Sequence, residues 1–504
     1  MARSPRRLPS IIAPADHYWW RQLWLIPALL MSLVFGKLIA GKGFTIAAML
    51  FIMPLAIAFV VIVFQRPKFG FIFFIFYCFA IPGLGRHISG PQFGLGQDGL
   101  LVLIAIALLF HRSGHYGFRY ISNDLMGLSL AWAAVTILQI VNPERPSITG
   151  WFYEMRSATL YWVFSIPIAF MVLRKKTDID LFIYIVIGLS WLGTLYGLKQ
   201  QILGTDAAEN AWLAAGAHKT HILFGKLRVF SFYTEAGQFG ASQAAVGSMC
   251  MVLALGPYNI IKRLIYGTAG MFLLYGYLIS GTRGALAAVA GAGLTYLMLS
   301  KQTKILVLGI IMAIGAYGFL KYTTIGNTNA QIVRLRTSLD PNDPSLMVRL
   351  SNQKILRDYL KNRPFGTGVG TIGQWGTKYN SDKFISTVAP DSLYVKIWAM
   401  YGIVGFWLWF GIMMYIAGKS GAIIWNTRDE GMRYKLMALS AGANGILICS
   451  YGNEVLNQMP SSTILYISWA LIWMSTRWDI APLQPIAITT PTDEDENPYQ
   501  SIYA

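Results

Sequence analysis

Charge is scarce in this chain, and negative charge is scarcer still. Only 13% of the 504 residues are Asp, Glu, Lys or Arg, against 55% hydrophobic, and a balance that far from the soluble average excludes an ordinary water-soluble domain. The three cysteines, Cys78, Cys250 and Cys449, all lie in apolar runs, which argues against a disulfide framework or a cysteine-metal cluster. Histidine is equally thin. The pair His218 and His221 in "AHKTH" has a spacing a metal accepts but no third ligand in view, so no metal and no cofactor is expected. Lys and Arg outnumber Asp and Glu by 41 to 23, a net +18. A nucleic-acid partner would need those cations gathered on a polar domain, and the sequence contains none.

What the chain has instead is apolar length. About fourteen windows reach the roughly 17 to 25 residues a spanning helix requires. They lie near residues 22–40, 44–64, 68–84, 98–111, 124–141, 155–174, 179–202, 236–255, 262–281, 283–300, 303–320, 396–418, 434–454 and 461–477. Lipid offers no partner to a loose backbone, so the spans are helical. The expected fold is all-α: a polytopic membrane bundle of about 12–14 helices with a long, partly helical outer loop. In chain order this gives a cytoplasmic segment 1–21, a bundle 22–320 of about eleven spans, an outer loop 321–390, further spans at 391–477, and a disordered, acidic cytoplasmic tail 478–504. The first span follows a basic stretch but lacks a small-residue cleavage site, and is read as retained rather than as a signal peptide.

With the N-terminus inside, every short inner loop is basic: Arg66 with Lys68, Arg112 with Arg119, Arg174 to Lys176, Lys262 with Arg263, Lys301 with Lys304, and Arg428 to Lys435. The remaining cations, about half, fall outside and cluster in 203–235 and 321–390. Long loops translocate regardless of charge. Arg283, in "ISGTRGALAAVAGAG", is not covered by that explanation, because it sits in a very short outer turn between two spans. An arginine at the helix centre costs up to roughly 3 kcal/mol on insertion scales, which makes it a functional candidate by default.

The long outer loop reads as structured. "NDPSLMVRLSNQKILRDYLKNRP" supplies Asp343 as N-cap, Pro344 at the first position and Pro364 as the stop, predicting a helix over about 344–362 with an apolar set of Met347, Leu350, Ile355, Tyr359 and Leu360. Arg349, Gln353 and Arg357 share one face, either a solvated stripe or an anion-binding edge. "PFGTGVGTIGQWG" follows. Its glycines allow close approach to a ligand or to a neighbouring helix, but without a preceding strand or a Walker lysine it is not a nucleotide motif.

Three stretches resemble the O-antigen ligase and O-antigen polymerase superfamily: "GTRG" around Arg283, "VRLSNQKILRDYLKNRPFGTGVG", and "DSLYVKIWAMYGIVG". With the eighth span, the resemblance covers about residues 225–415. It implies a bacterial inner-membrane glycosyltransferase. Such an enzyme moves a glycan from undecaprenyl diphosphate to a sugar hydroxyl, on a glycan or on the lipid A core, at the periplasmic face with inversion and without a metal. The implied roles fit the residue types, because a guanidinium fork bonds phosphate oxygens bidentately and stays protonated.

By the same resemblance Arg228, Arg283 and Arg349 would grip the donor diphosphate, with Arg334 and Arg336 as weaker members. Arg228 also reads as a snorkelling anchor. Where ligases of the family carry His this chain has Asp391, either a general base or a helix cap; Glu235, in "TEAG", is the second candidate base. That departure leaves ligase and polymerase both open, and a transporter or flippase is the rival from another class.

Overall fold

The computed structural model describes residue 32 and residues 44–88, 93–111, 118–223, 225–327, 330–337 and 340–478. The expected first span, the N-terminal segment and the acidic tail from residue 479 onward lie outside them. The chain divides into two units, residues 1–66 and 67–504. The first contains helix α1, Phe44–Gln65, an apolar helix with Pro54 inside it.

The second unit is a helical bundle. It begins with α2 (Pro67–His87), α3 (Phe93–Phe110), α4 (Asp124–Val141), α5 (Ile148–Val172) and α6 (Lys176–Ile202). Two short helices, α7 (Ala207–Trp212) and α8 (His218–His221), lead to a small antiparallel pair, β1 (Ile222–Leu223) with β2 (Lys226–Leu227). Then come α9 (Ala236–Ala254), α10 (Ile260–Ile279), α11 (Leu286–Leu299) and α12 (Thr303–Tyr322). The outer loop carries α13 (Ala330–Thr337), α14 (Pro344–Leu360) and α15 (Gly373–Tyr379), and the chain continues through α16 (Leu393–Asn426), α17 (Glu430–Cys449) and α18 (Ser461–Ser475).

Every span expected from residue 44 onward coincides with a helix. Six of them, α2 to α6 and α16, are by themselves long and apolar enough to cross a membrane. Among the others, α9 is more polar for a physical reason: it faces protein. α9 is buried along almost its whole length, polar residues included. Its Gln243 donates to the Tyr233 hydroxyl (3.0 Å) and accepts from Thr194 (3.1 Å), while Gln238 donates to Ser461 (2.9 Å). Side-chain hydrogen bonds of this kind fasten helices where the hydrophobic effect gives no driving force.

At one end of the bundle, helix starts pair with basic residues. Asp178 binds Lys68, Asp180 binds Lys435 at 2.7 Å, and Asp124 binds Lys419 at 2.5 Å. Two of these acids also sit in first turns, Asp124 in α4 and Asp178 in α6, where the helix dipole favours them. The opposite end carries the long loop and the unusual cations.

The outer helix α14 starts as expected, with Asp343 accepting from the Leu346 amide (3.1 Å) and Pro344 in the first turn. Its apolar face is a correction to the expected set. Leu356 and Leu360 are buried, whereas Met347, Leu350 and Ile355 are exposed.

The glycine-rich loop meets a helix. α16 breaks at Gly402 (φ 71°), and the loop threads that break. Thr367 and Gly368 amides donate to the Ala399 and Met400 carbonyls (both 3.0 Å), and the Val404 amide donates to Pro364 (3.2 Å). A Cβ on Gly402 would lie 2.0 Å from the Pro364 oxygen, so only glycine fits. These loop amides are spent on the helix, which removes the ligand-cradle reading.

Candidate functional site

The turn that raised the question is built around contacts a longer chain would block. "GTRG" joins α10 to α11; Gly281 takes a left-handed φ of 57° and lies against the Arg334 guanidinium, 3.6 Å from where its Cβ would be. Arg283 then points across to the outer loop. Its Nη1 donates to Thr337 (3.1 Å) and to Asp343 (2.5 Å), and its Nη2 donates to the other Asp343 oxygen (3.3 Å). Asp343 therefore caps α14 and holds the arginine fork.

Arg228, Arg283, Arg334 and Arg349 line one cavity of about 560 Å³, with Asp343 as the only acid among the described residues of its lining. Four guanidiniums against one carboxylate leave it strongly positive. Arg228 is fixed by donating to the Thr220 carbonyl (2.9 Å) and Thr282 hydroxyl (3.0 Å), while its buried Nε has no hydrogen-bond partner among the described residues. Burial first, then the neighbouring Arg334 and Arg283 charges, lower its pKa to about 10. It stays protonated at neutral pH. Burial and then Arg283 lower Arg334 as well. Perturbed cations gathered in one cavity make it a candidate functional site.

The other expected residues fall elsewhere. Arg336 turns back on its own loop, donating to Thr323 (3.2 Å) and the Ile325 carbonyl (2.7 Å) and binding Asn327; it is not in the cavity lining. Arg357 is exposed and lies by Asp358, so of the helical stripe only Arg349 reaches the cavity. Asp391 adopts a φ of 52°, and Ser392 occupies the cap position of α16. The cap reading is thereby corrected, and Asp391 lines neither this cavity nor the next one. Glu235 precedes α9 with Arg228 on one side and Gln458 on the other, whose Nε2 lies 3.5 Å away. Burial raises its carboxyl above the ordinary glutamate range, against the opposing pull of Gln458 and Arg228.

His221 is structural: it is buried, its Nδ1 faces the Ala217 carbonyl (3.0 Å) and its Nε2 accepts from the Ala236 amide (3.2 Å). Burial lowers its pKa to about 4, so it is neutral.

A second cavity, also about 560 Å³, is lined by Thr234, next to Glu235 in the chain, and by Gln458, whose Nε2 faces Glu235. The segment before α18 serves both: Asn453 lines the arginine cavity, and Glu454 and Gln458 line the second. Lys396 is buried there between Glu154 (3.0 Å) and Glu454 (2.9 Å). Arg156, beside them, pairs with Asp98 at 2.6 Å. Tyr153 stacks on Trp375 (4.6 Å between centroids) and on Tyr379 (5.5 Å).

Residues 268–410 match the family described as O-antigen ligase. The chain carries an O-antigen ligase domain. That matched segment lies in a multi-pass membrane protein, with six helices among the described residues long and apolar enough to cross a bilayer. No curated protein matches the chain. The O-antigen ligase domain supplies Arg283, Arg334, Arg349, Trp375 and Lys396, while Arg228, Glu235, Glu154 and the 453–458 segment come from outside it.

Sequence reasoning passed over Glu154, Lys396 and Glu454. A usable signal existed, since an ionisable residue within an apolar span faces the bundle interior and marks a site. A π-helical turn at Arg156–Leu160, directly after Glu154, is the local irregularity such sites often carry.

Proposed function

We propose that this protein is a metal-independent glycosyltransferase of the bacterial inner membrane. It transfers a glycan from undecaprenyl diphosphate to a sugar hydroxyl at the periplasmic face, as an O-antigen ligase does. The observation that carries this reading is the single cavity shared by Arg228, Arg283, Arg334 and Arg349. A diphosphate is the polyanion such a set of forks fits. In the transfer, the acceptor oxygen attacks the anomeric carbon, the bond from that carbon to the phosphate oxygen breaks, and the hydroxyl proton passes to a carboxylate. Undecaprenyl diphosphate leaves with its charge held by the arginines. Glu235 suits the proton-accepting role better than Asp391, because it is half-buried beside Arg228 and its carboxyl is raised toward neutrality.

The test is an assay in lipid nanodiscs with a polyprenyl-diphosphate glycan, offered either a lipid A-core acceptor or a second lipid-linked repeat. The expected result is a new glycosidic bond with release of polyprenyl diphosphate, abolished by Arg283→Ala. Use of the core acceptor assigns a ligase, and use of the repeat assigns a polymerase. Glycan flux across proteoliposomes with no bond formed would establish a transporter instead.

A further inference from the structure

The second cavity has a different chemistry from the first, and that contrast suggests what it holds. The arginine cavity sets four guanidiniums against one acid. In the second, Lys396 is flanked by Glu154 and Glu454 and Arg156 is matched by Asp98, so that with Lys378 three cations face three acids among the described residues. Such a cavity does not select a polyanion. It offers alternating donors and acceptors at close range, the pattern a neutral polyol requires.

Two further observations point to a ligand. Glu154 is fully buried, and while its Oε2 lies 3.0 Å from the Lys396 ammonium, its Oε1 accepts no hydrogen bond among the described residues; the Oε1 of Gln458 is likewise buried without a donor. Buried acceptors left open in this way are costly unless a donor arrives. Aromatic rings also line the same wall. Tyr153 and Trp375 lie nearly parallel, 18° apart, with the Lys378 ammonium 5.8 Å from the Trp375 ring, and both rings are only partly buried. An aromatic face next to hydrogen-bonding carboxylates suits a pyranose, whose ring has an apolar face and a rim of hydroxyls.

We propose that this cavity is a sugar subsite that binds one neutral pyranose unit of a glycan, packed on the Trp375 and Tyr153 rings with its hydroxyls donated to Glu154 and Glu454. This deepens the transferase reading and rests on it for its role. The segment 453–458 forms a wall common to both cavities, and Gln458 of that wall faces Glu235 at 3.5 Å, so a sugar here lies next to the diphosphate cavity. The two cavities thereby divide the substrates: charge in one, hydroxyls in the other. Lys396 is a positioning residue that orients both carboxylates.

The test uses the full chain in nanodiscs free of glycoside detergent. Saturation-transfer NMR is run with methyl glycosides and di- and trisaccharides of glucose, galactose, mannose and N-acetylglucosamine. At least one sugar is expected to bind. Trp375→Ala should weaken that binding about tenfold, the scale of one lost aromatic contact, and Trp375→Phe should restore most of it. Arg283→Ala should leave it unchanged. Competition separates the source: displacement by undecaprenyl-diphosphate glycan but not by undecaprenyl diphosphate places the donor's sugar here, and displacement by neither places the acceptor's. No binding by any sugar, or binding indifferent to Trp375→Ala, overturns the subsite. If transfer occurs with no Trp375 dependence in either substrate's KM, the function stands and the subsite fails. If sugars bind through Trp375 and no transfer is ever seen, the subsite stands and the transferase reading fails.

Discussion

Replacing Arg283 with lysine tests the phosphate-fork argument at its narrowest point, because the charge is kept and only the shape is lost. In the structure the guanidinium plane is set by Thr337 and by both oxygens of Asp343, at 3.1, 2.5 and 3.3 Å. A lysine ammonium can reach one Asp343 oxygen but cannot span two acceptors. The folded state therefore loses little: Asp343 keeps a counter-charge and still caps α14, so the thermal midpoint is expected to move by only a few degrees, as for a change of about 1 kcal/mol. Transfer loses more. One bidentate, charge-assisted phosphate contact contributes about 1.5–3 kcal/mol, which converts to a fall of about 10- to 150-fold in kcat/KM. The measurement is initial-rate transfer from a polyprenyl-diphosphate glycan at subsaturating donor, with thermal unfolding of the same preparation. A Lys variant with wild-type kcat/KM would show that a point charge suffices and refute the bidentate argument. A collapse of the thermal midpoint would show that the residue is structural.

Three other outcomes follow from the same geometry. Glu235→Gln should cut kcat by about 10²- to 10⁴-fold if this carboxylate takes the proton, and the wild-type rate should rise with pH through a value above the ordinary glutamate pKa. Linkage gives the sign for stability. The folded pKa is raised, so wild-type stability is greatest below the unfolded value and falls as pH climbs through the folded one; that slope should vanish in Glu235→Gln, read by thermal unfolding across pH. Asp391→Asn should change kcat/KM by less than about twofold, since general-base removal costs at least about 10²-fold and the base role is assigned to Glu235, which interacts with Arg228 of the arginine cavity; a large loss would return the base role to Asp391. Gly402→Ala should reduce folded yield and lower thermal stability sharply, because the added Cβ meets the Pro364 oxygen at 2.0 Å and left-handed strain alone is about 1–3 kcal/mol.

Much of the helical layout was legible in the linear chain. Spans are long, locally hydrogen-bonded and read by composition, so their positions from residue 44 onward coincide with the helices found. The start of α14 was legible too, since the Asp343-Pro344 pair is a local signal. Its buried face was legible only in part: of Met347, Leu350, Ile355, Tyr359 and Leu360, packing buries Leu360 and adds Leu356, while Met347, Leu350 and Ile355 are exposed, because which side of an amphipathic helix meets protein depends on the partner. The glycine-rich loop shows the same limit. Its sequence allowed a ligand or a helix, and only the break in α16 at Gly402 decides for the helix.

The sequence by itself determined that this is a membrane bundle with stray arginines on one side, because insertion energetics act residue by residue along the chain. It could not say which arginines converge. Arg228, Arg283, Arg334 and Arg349 come from four separate elements spread over more than a hundred positions, and Arg336, two residues from Arg334, faces away. Nor could it pair Lys396 with Glu154 and Glu454, which meet from two helices and the segment before α18 at the second cavity. Convergence of distant side chains is a property of tertiary packing, and no local pattern encodes it.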